Sequence, residues 1–229
     1  METRMMTLET LSTKALNTTE VTLSTSEPFV FTAGQYVTVT LPTLYHLQEQ
    51  EQYRDFSLVS SPEDAYRLAF VFRNSQSHFK QEILRERNVG KAIKVSVEGP
   101  KGVFTLPEDL NIPIVFLAGG VGIAPFLSMI RHLANAKASA RITLLYYNRN
   151  RESAAYLDEL EGYTGFIDVV PVFGDMTSGP IESYVREHSA QSLWYVAGPR
   201  GMVKAAREIL TKLSVGDRYI KSEEFSGYE

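Results

Sequence analysis

Ile114-Val115-Phe116-Leu117-Ala118-Gly119-Gly120-Val121-Gly122-Ile123-Ala124-Pro125-Phe126 joins an apolar, β-branched run to a glycine turn and then to a second apolar run. The first part reads as a buried strand and the last as the start of a helix. Glycines at that junction let the backbone approach an anion at the helix N-terminus, so the turn fits a pyrophosphate. The spacing is not the usual dinucleotide fingerprint, because Pro125 stands where a third glycine would fall. By itself the turn is equally consistent with a tight strand-to-helix connection. The whole segment Asn111–Ile130 is uncharged over about 20 residues, the length of a membrane span. Its glycines and prolines break it, and no second span accompanies it.

Downstream, apolar runs alternate with amphipathic ones. Ile114–Leu117, Ile142–Tyr146, Ile167–Phe173 and Leu193–Val196 read as strands. Phe126–Leu133, Ser153–Leu160, Ile181–Glu187 and Val203–Leu213 read as helices. Strands this apolar need cover on both faces, which predicts a parallel sheet between two helical layers with right-handed crossovers. Upstream the rhythm is different. Val21–Leu23, Tyr36–Leu41, Phe56–Val59, Leu68–Phe72 and Ile93–Val97 are short, β-branched or aromatic, and separated by turn residues, as in an antiparallel barrel or sandwich. One helix, His78–Glu86, interrupts them. Pro42–Gln52 reads as an exposed loop, and the proline- and glycine-bearing stretch Gly99–Leu110 as the linker. Two domains are expected: residues 1–108, antiparallel, and 109–229, α/β.

The composition excludes several classes. A net charge of -4 over 229 residues gives no basic field for nucleic acid. With no cysteine there is no disulfide, thiolate nucleophile or cysteine-held zinc or iron–sulfur centre. The four histidines, His46, His78, His132 and His188, lack ligand spacing, so no metal site is expected. The first twenty residues have no continuous apolar core, which points to a cytoplasmic chain without membrane insertion.

Residues able to do chemistry fall in a few places. Arg54-Asp55-Phe56-Ser57 puts a cation, a ring and a hydroxyl on one strand, with Arg54 and Phe56 on one face and Ser57 on the other. Standing alone it would be a half-buried strand with an exposed arginine. Asn148, Arg149 and Arg151 follow the second strand of the α/β half, where such folds read the adenosine ribose. No acidic residue is there to bind a 2′-hydroxyl, so the arginines favour a 2′-phosphate.

Taken in order, five segments make the chain resemble the ferredoxin–NADP reductase family of flavoproteins. They are Arg54-Asp55-Phe56-Ser57, the stretch Arg73–Lys80 (RNSQSHFK), Gly99-Pro100-Lys101-Gly102-Val103-Phe104, the glycine turn ending in Pro125, and Ala197-Gly198-Pro199 with Met202. Glu223-Glu224-Phe225-Ser226-Gly227-Tyr228 is similar to the family's ending. The resemblance implies a six-stranded antiparallel barrel that binds FAD, followed by a nucleotide-binding lobe. It makes Arg54, with Asp55, the holder of the flavin pyrophosphate, Phe56 a ring packed on the isoalloxazine, and Ser57 a hydrogen-bonding partner near N5. It further implies flavin-phosphate contacts from Arg73 and from the backbone at Ser77, His78 and Phe79. Gly119, Gly120, Gly122 and Pro125, with Gly198, Pro199 and Met202, would hold the nicotinamide nucleotide. Phe225 and Tyr228 would cover the flavin, and Glu223 would orient or protonate beside it; Ser57, Glu223 and Phe225 are the catalytic candidates. Phe56 replaces the family's usual tyrosine, Ala124 a frequent threonine and Ala197 a frequent cysteine.

The implied activity is hydride transfer from NADPH (or NADH) to FAD, then electron delivery to a separate acceptor, expected to be a small electron-transfer protein such as a ferredoxin, flavodoxin or oxygenase component. No fused iron–sulfur domain is expected. The alternative is a regulatory or electron-transfer flavin-binding subunit with little turnover of its own.

Overall fold

The computed structural model describes residues 2–86, 93–138, 140–187 and 192–225. Its first half is an antiparallel six-stranded sheet in the order β4-β3-β6-β1-β2-β5, made of β1 (Glu2–Ala15), β2 (Thr18–Ser24), β3 (Tyr36–Thr40), β4 (Tyr53–Ser57), β5 (Arg67–Arg73) and β6 (Lys94–Lys101). The two edge strands meet where Leu58 bridges Phe70, and the Val59 N–H donates to the Ala69 carbonyl at 2.7 Å. The sheet therefore closes into a barrel, which removes the unpaired edges. Period-two alternation sends Val21, Leu23, Val37, Val39, Phe70 and Val97 inside. Helix α2 (His78–Glu86) caps this core, because Phe79 and Ile83 lie one turn apart on its apolar face and both are buried there.

The second half is a parallel five-stranded sheet in the order β11-β10-β7-β8-β9. Its strands are β7 (Ile114–Gly119), β8 (Ile142–Asn148), β9 (Ile167–Phe173), β10 (Leu193–Pro199) and β11 (Ile220–Phe225). Phe116 and Ala118 of β7 face a cluster that holds Phe126 and Ile130 of α3 (Ile123–Ala136), together with Val59, Val71 and Phe104 from the barrel side. Val115 and Leu117 face the opposite cluster, built with α5 (Gly179–Glu187) and α6 (Arg200–Lys212). Both faces of the sheet are thus covered, as its unbroken apolar strands demand. The two-domain class expected from the sequence is the one observed.

Several element boundaries differ from the sequence reading. Strand β1 is not marked by alternation because, of its fourteen residues, Met6 alone is buried, and two register shifts in its pairing with β2 disturb the pattern. Strand β11 is equally cryptic, with Ile220 its sole buried residue. The expected helix at Ser153 starts later, as α4 (Leu157–Gly162), since Tyr156 adopts a left-handed conformation with φ of 62° and interrupts it. The loop at Pro42–Gln52 carries a 3-10 turn over Pro42–Leu44 and one helical turn, α1 (Glu49–Gln52). Strand β6 continues to Lys101, through part of the expected linker. Among the described residues no helix is long and apolar enough to cross a membrane. His188, Ser226, Gly227 and Tyr228 lie outside the described residues.

A polar seam sets the two lobes against each other. Arg131 of α3 donates from Nη1 to the Val59 carbonyl at 2.8 Å and grips Glu159 through Nε and Nη2 at 2.7 and 2.8 Å. Ser128 donates to the Ser60 carbonyl at 2.7 Å, and the Tyr156 hydroxyl to Glu20 at 2.8 Å. Burial pushes the Tyr156 hydroxyl well above its ordinary pKa, with the Glu20 carboxylate adding to the effect, so it stays a donor.

Candidate functional site

A cleft of about 940 Å³ opens between the lobes. One wall is β4, the α2 end at Ser77 and Lys80, and Val103–Phe104 of the connection; the other is Ala124 of α3 and the stretch Lys221–Phe225 of β11. Barrel closure brings β4 beside α2, and the parallel pairing of β11 with β10 carries its C-terminal end to the same place.

On β4, Arg54 and Phe56 share a face, as alternation predicts. The Arg54 guanidinium lies 5.8 Å from the Phe79 ring centroid, and the Phe56 ring lies 5.8 Å from that of Phe79. Arg54 donates from Nη1 to the carbonyls of Gln50 and Tyr53 and from Nη2 to Ser77 at 3.4 Å. Lys80 shares this wall. Its ammonium is held below the ordinary lysine pKa, first by burial and then by the Arg54 charge. Two cations set together beside a serine hydroxyl form a site that an anion such as a diphosphate would relieve. The exposed Val103 and the Phe225 ring add apolar surface suited to a flat ring system. The chemistry of the cleft therefore fits a flavin dinucleotide.

The opposite face of β4 supplies the link between lobes. Ser57 donates from Oγ to Glu223 Oε1 at 2.8 Å, across 166 residues of sequence. Burial raises the Glu223 pKa above its usual 4.5, and the Ser57 hydrogen bond only partly offsets this. A carboxyl whose proton affinity is raised by burial, held against a hydroxyl in a cleft, is suited to exchanging a proton there.

Other expected residues fall elsewhere. Asp55 is on the cleft rim, where its carboxylate accepts from the Thr38 hydroxyl. Phe56 reaches the cleft, yet its ring stacks on Phe70 with centroids 4.2 Å apart and is 8% exposed, so most of its area is spent on the barrel core. The Phe79 side chain is fully buried, leaving only its backbone for a ligand. His78 is exposed and paired with Glu51 at 2.6 Å. Arg73 is drawn away from the cleft: it donates to the Leu16 carbonyl at 2.9 Å and lies under the glycine turn, 3.5 Å from where a Cβ of Gly120 would sit.

The nucleotide candidates gather at the C-terminal ends of β7, β8 and β10. Strand order reverses between β7 and β10, the position at which such sheets bind ligands. There Gly119 and Gly122 are buried and closed. A Cβ on Gly122 would stand 2.3 Å from the Ala197 carbonyl oxygen, and one on Gly119 would overlap the sulfur of Met202. These two glycines let β10 and α6 pack against the turn, and only Gly120 is partly open, with φ of +54°. Pro125 is buried in the first turn of α3, where its missing N–H costs nothing. Gly198, with φ of +154°, and Pro199 end β10, and Pro199 is the residue that precedes α6. Arg151 is committed to Asp158 at 2.8 Å and Glu161 at 2.7 Å, whereas Arg149 is exposed. Asn148 is buried with both side-chain polar atoms lacking a hydrogen bond, although the Tyr146 hydroxyl is close by.

Lys80 was the residue that the sequence reading passed over. It stands three positions after Ser77, the spacing of one helical turn, but nothing local shows that barrel closure sets it beside Arg54.

The family model described as "Oxidoreductase NAD-binding domain" matches residues 116–208. The chain is 26% identical over 199 residues to the reductase component of propane 2-monooxygenase from Rhodococcus jostii (strain RHA1), covering 80% of this chain and 52% of that one. It is 32% identical over 133 residues to ferredoxin–NADP reductase B of Sorangium cellulosum (strain So ce56), covering 58% and 52%. It thus spans about half the length of these curated relatives. The crystal structure of the Amycolatopsis cytochrome P450 reductase GcoB superposes with a TM-score of 0.82 at 24% identity, covering 97% of this chain and 70% of that chain. With the barrel and the reversed strand order, these likenesses show a fold shared with such reductases and make the chain similar, over residues 116–208, to the NAD-binding domain of oxidoreductases.

Proposed function

We propose that this chain is a flavin-dependent NAD(P)H reductase that passes electrons to a separate acceptor. The observation that carries the reading is the Ser57–Glu223 hydrogen bond, which ties the barrel to the last strand inside a cleft walled by two cations. When bound, FAD supplies an acceptor for a hydride that can release electrons one at a time. Arg54 and Lys80, with Ser77, bind its diphosphate. Phe56 lends only the small exposed part of its ring, and Val103 and Phe225 exclude water around the flavin. Ser57 donates to Glu223, which fixes the hydroxyl's direction, and burial raises the proton affinity of that carboxyl. The lobe of residues 1–108 serves the flavin and that of 109–229 the nicotinamide nucleotide, whose diphosphate meets the turn at Gly120. Arg149 favours NADPH over NADH, while Arg151 is committed to Asp158 and Glu161 and contributes little. Acceptors of the class served by the relatives, oxygenase components and ferredoxins, suit this division of labour.

Anaerobic titration of the FAD-loaded protein with NADPH and, in parallel, NADH tests the reading. Bleaching of the flavin absorbance by a stoichiometric amount of NADPH is expected, and failure to retain FAD or to bleach it overturns the proposal.

A further inference from the structure

The loop after β8 carries Arg149 at its start and ends at Tyr156, whose φ of 62° puts an aromatic residue in the left-handed region. A residue with a bulky side chain is strained there, and the conformation persists only where the surroundings hold it. Both lobes supply that hold. The Tyr156 ring lies between two cations, with Lys14 of β1 at 5.6 Å and Arg131 of α3 at 5.5 Å from its centroid. Its hydroxyl donates to Glu20 Oε2 at 2.8 Å, and Lys14 pairs with the other oxygen of that carboxylate at 3.0 Å. Lys14 and Glu20 belong to the barrel, so the barrel grips the end of a loop that belongs to the other lobe.

A second grip lies four residues earlier. The Leu16 N–H, at the tip of the β1–β2 hairpin, donates to the Glu152 carbonyl at 2.8 Å. The tip is itself fixed from the barrel side, where Arg73 donates to the Leu16 carbonyl at 2.9 Å and the Asn74 N–H to the Asn17 carbonyl at 2.8 Å. Within the loop the Ser153 N–H donates to Asn150 Oδ1 at 3.0 Å, and the Tyr146 hydroxyl to the Ala155 carbonyl at 3.1 Å. Residues 153–156 are buried, whereas Arg149 is exposed at the front of this braced segment. The lobes are already joined by Arg131 to Val59 and Ser128 to Ser60, so the hairpin contacts serve the loop in addition to the seam. A braced loop presents its guanidinium without an ordering cost at the moment of binding.

We propose that the barrel's β1–β2 hairpin is a positioning element for the coenzyme loop: through Glu20–Tyr156 and Leu16–Glu152 it sets where Arg149 stands, and so how strongly the protein prefers a nucleotide bearing a 2′-phosphate. This rests on the reading of Arg149 given above. Tyr156 and Glu20 are buried and act through Arg149.

The test uses the FAD-loaded full chain and calorimetric binding of 2′,5′-ADP and 5′-AMP. These differ by the 2′-phosphate and carry no nicotinamide, so no turnover enters. Tyr156→Phe keeps the ring between its two cations and removes only the hydroxyl. It is expected to weaken 2′,5′-ADP binding roughly fivefold and to leave 5′-AMP binding unchanged. Glu20→Ala should act alike, while Glu20→Gln, which still accepts from the hydroxyl, should keep most of the affinity. In steady state the KM for NADPH rises by the same factor with kcat unchanged. In an Arg149→Ala background, Tyr156→Phe is expected to change nothing further, because the two residues act as one unit. Undiminished 2′,5′-ADP affinity in Tyr156→Phe, or a loss that persists in full without Arg149, would overturn the proposal. If Arg149→Ala alone leaves 2′,5′-ADP binding intact, the phosphate reading of Arg149 falls and this proposal with it.

Discussion

The barrel wall at Arg54 and the glycine turn at Gly119–Gly122 are both phosphate motifs on paper, and the folded protein treats them in opposite ways. The wall is open: Arg54 and Lys80 are crowded together at the edge of a cleft, and burial penalises the lysine's charge. The turn is shut, with backbone of β10 or the sulfur of Met202 occupying the space beside two of its glycines. Glycine tolerates a ligand and a neighbouring strand equally well, so its presence does not say which is there. An arginine and a lysine set side by side repel one another and favour an anion between them, which makes the pair the more informative signal.

That contrast predicts where substitutions hurt stability and where they hurt binding. Gly122→Ala should produce the largest loss, about 3 kcal/mol or more, because the new methyl meets backbone atoms of Ala197 and Gly198 that cannot swing aside. Urea unfolding measures it. Gly119→Ala should cost less, since Met202 is a flexible side chain, and Met202→Ala should restore part of the loss. Equal stability of wild type and Gly122→Ala would remove the packing role from the turn.

Arg54→Ala should leave folding nearly intact and weaken FAD binding by about 1.5–3 kcal/mol, the worth of a charge-assisted contact. Fluorescence titration of the apoprotein with FAD follows it; undiminished affinity would take the diphosphate off the wall.

A smaller effect separates the two arginines after β8. Arg149→Ala should raise the KM for NADPH several-fold with little change for NADH. Arg151→Ala should alter neither much, because its guanidinium is held by Asp158 and Glu161. The reverse ranking in steady-state kinetics would mean that Arg151 exchanges its carboxylates for the nucleotide.

The smallest effect is on pH dependence. Glu223 has a folded pKa above its ordinary 4.5, so its burial costs nothing while it is protonated in both states. Stability is then lost as pH rises from about 4.5 through the folded value, where the unfolded chain ionises first. Glu223→Gln should flatten the unfolding free energy across that window and leave it unchanged at lower pH. A wild-type pH profile parallel to that of the variant would show that the carboxyl is not strained by burial.

The sequence alone determined those features whose cause is local. The helix over His78–Glu86 is observed with those bounds, and β7, the glycine turn and α3 follow in the order read. Periodicity and breakers act within a few residues, so they are visible in the chain. Long-range packing decided the rest. β1 and β11 are strands because neighbours pair with them, not because of their own pattern. Lys80 stands by Arg54, and Ser57 meets Glu223, because closing the barrel and adding the last strand bring together groups 26 to 166 residues apart. Which glycine is open and which arginine is already paired depend likewise on what the tertiary fold places opposite each, a boundary condition that no local window of sequence contains.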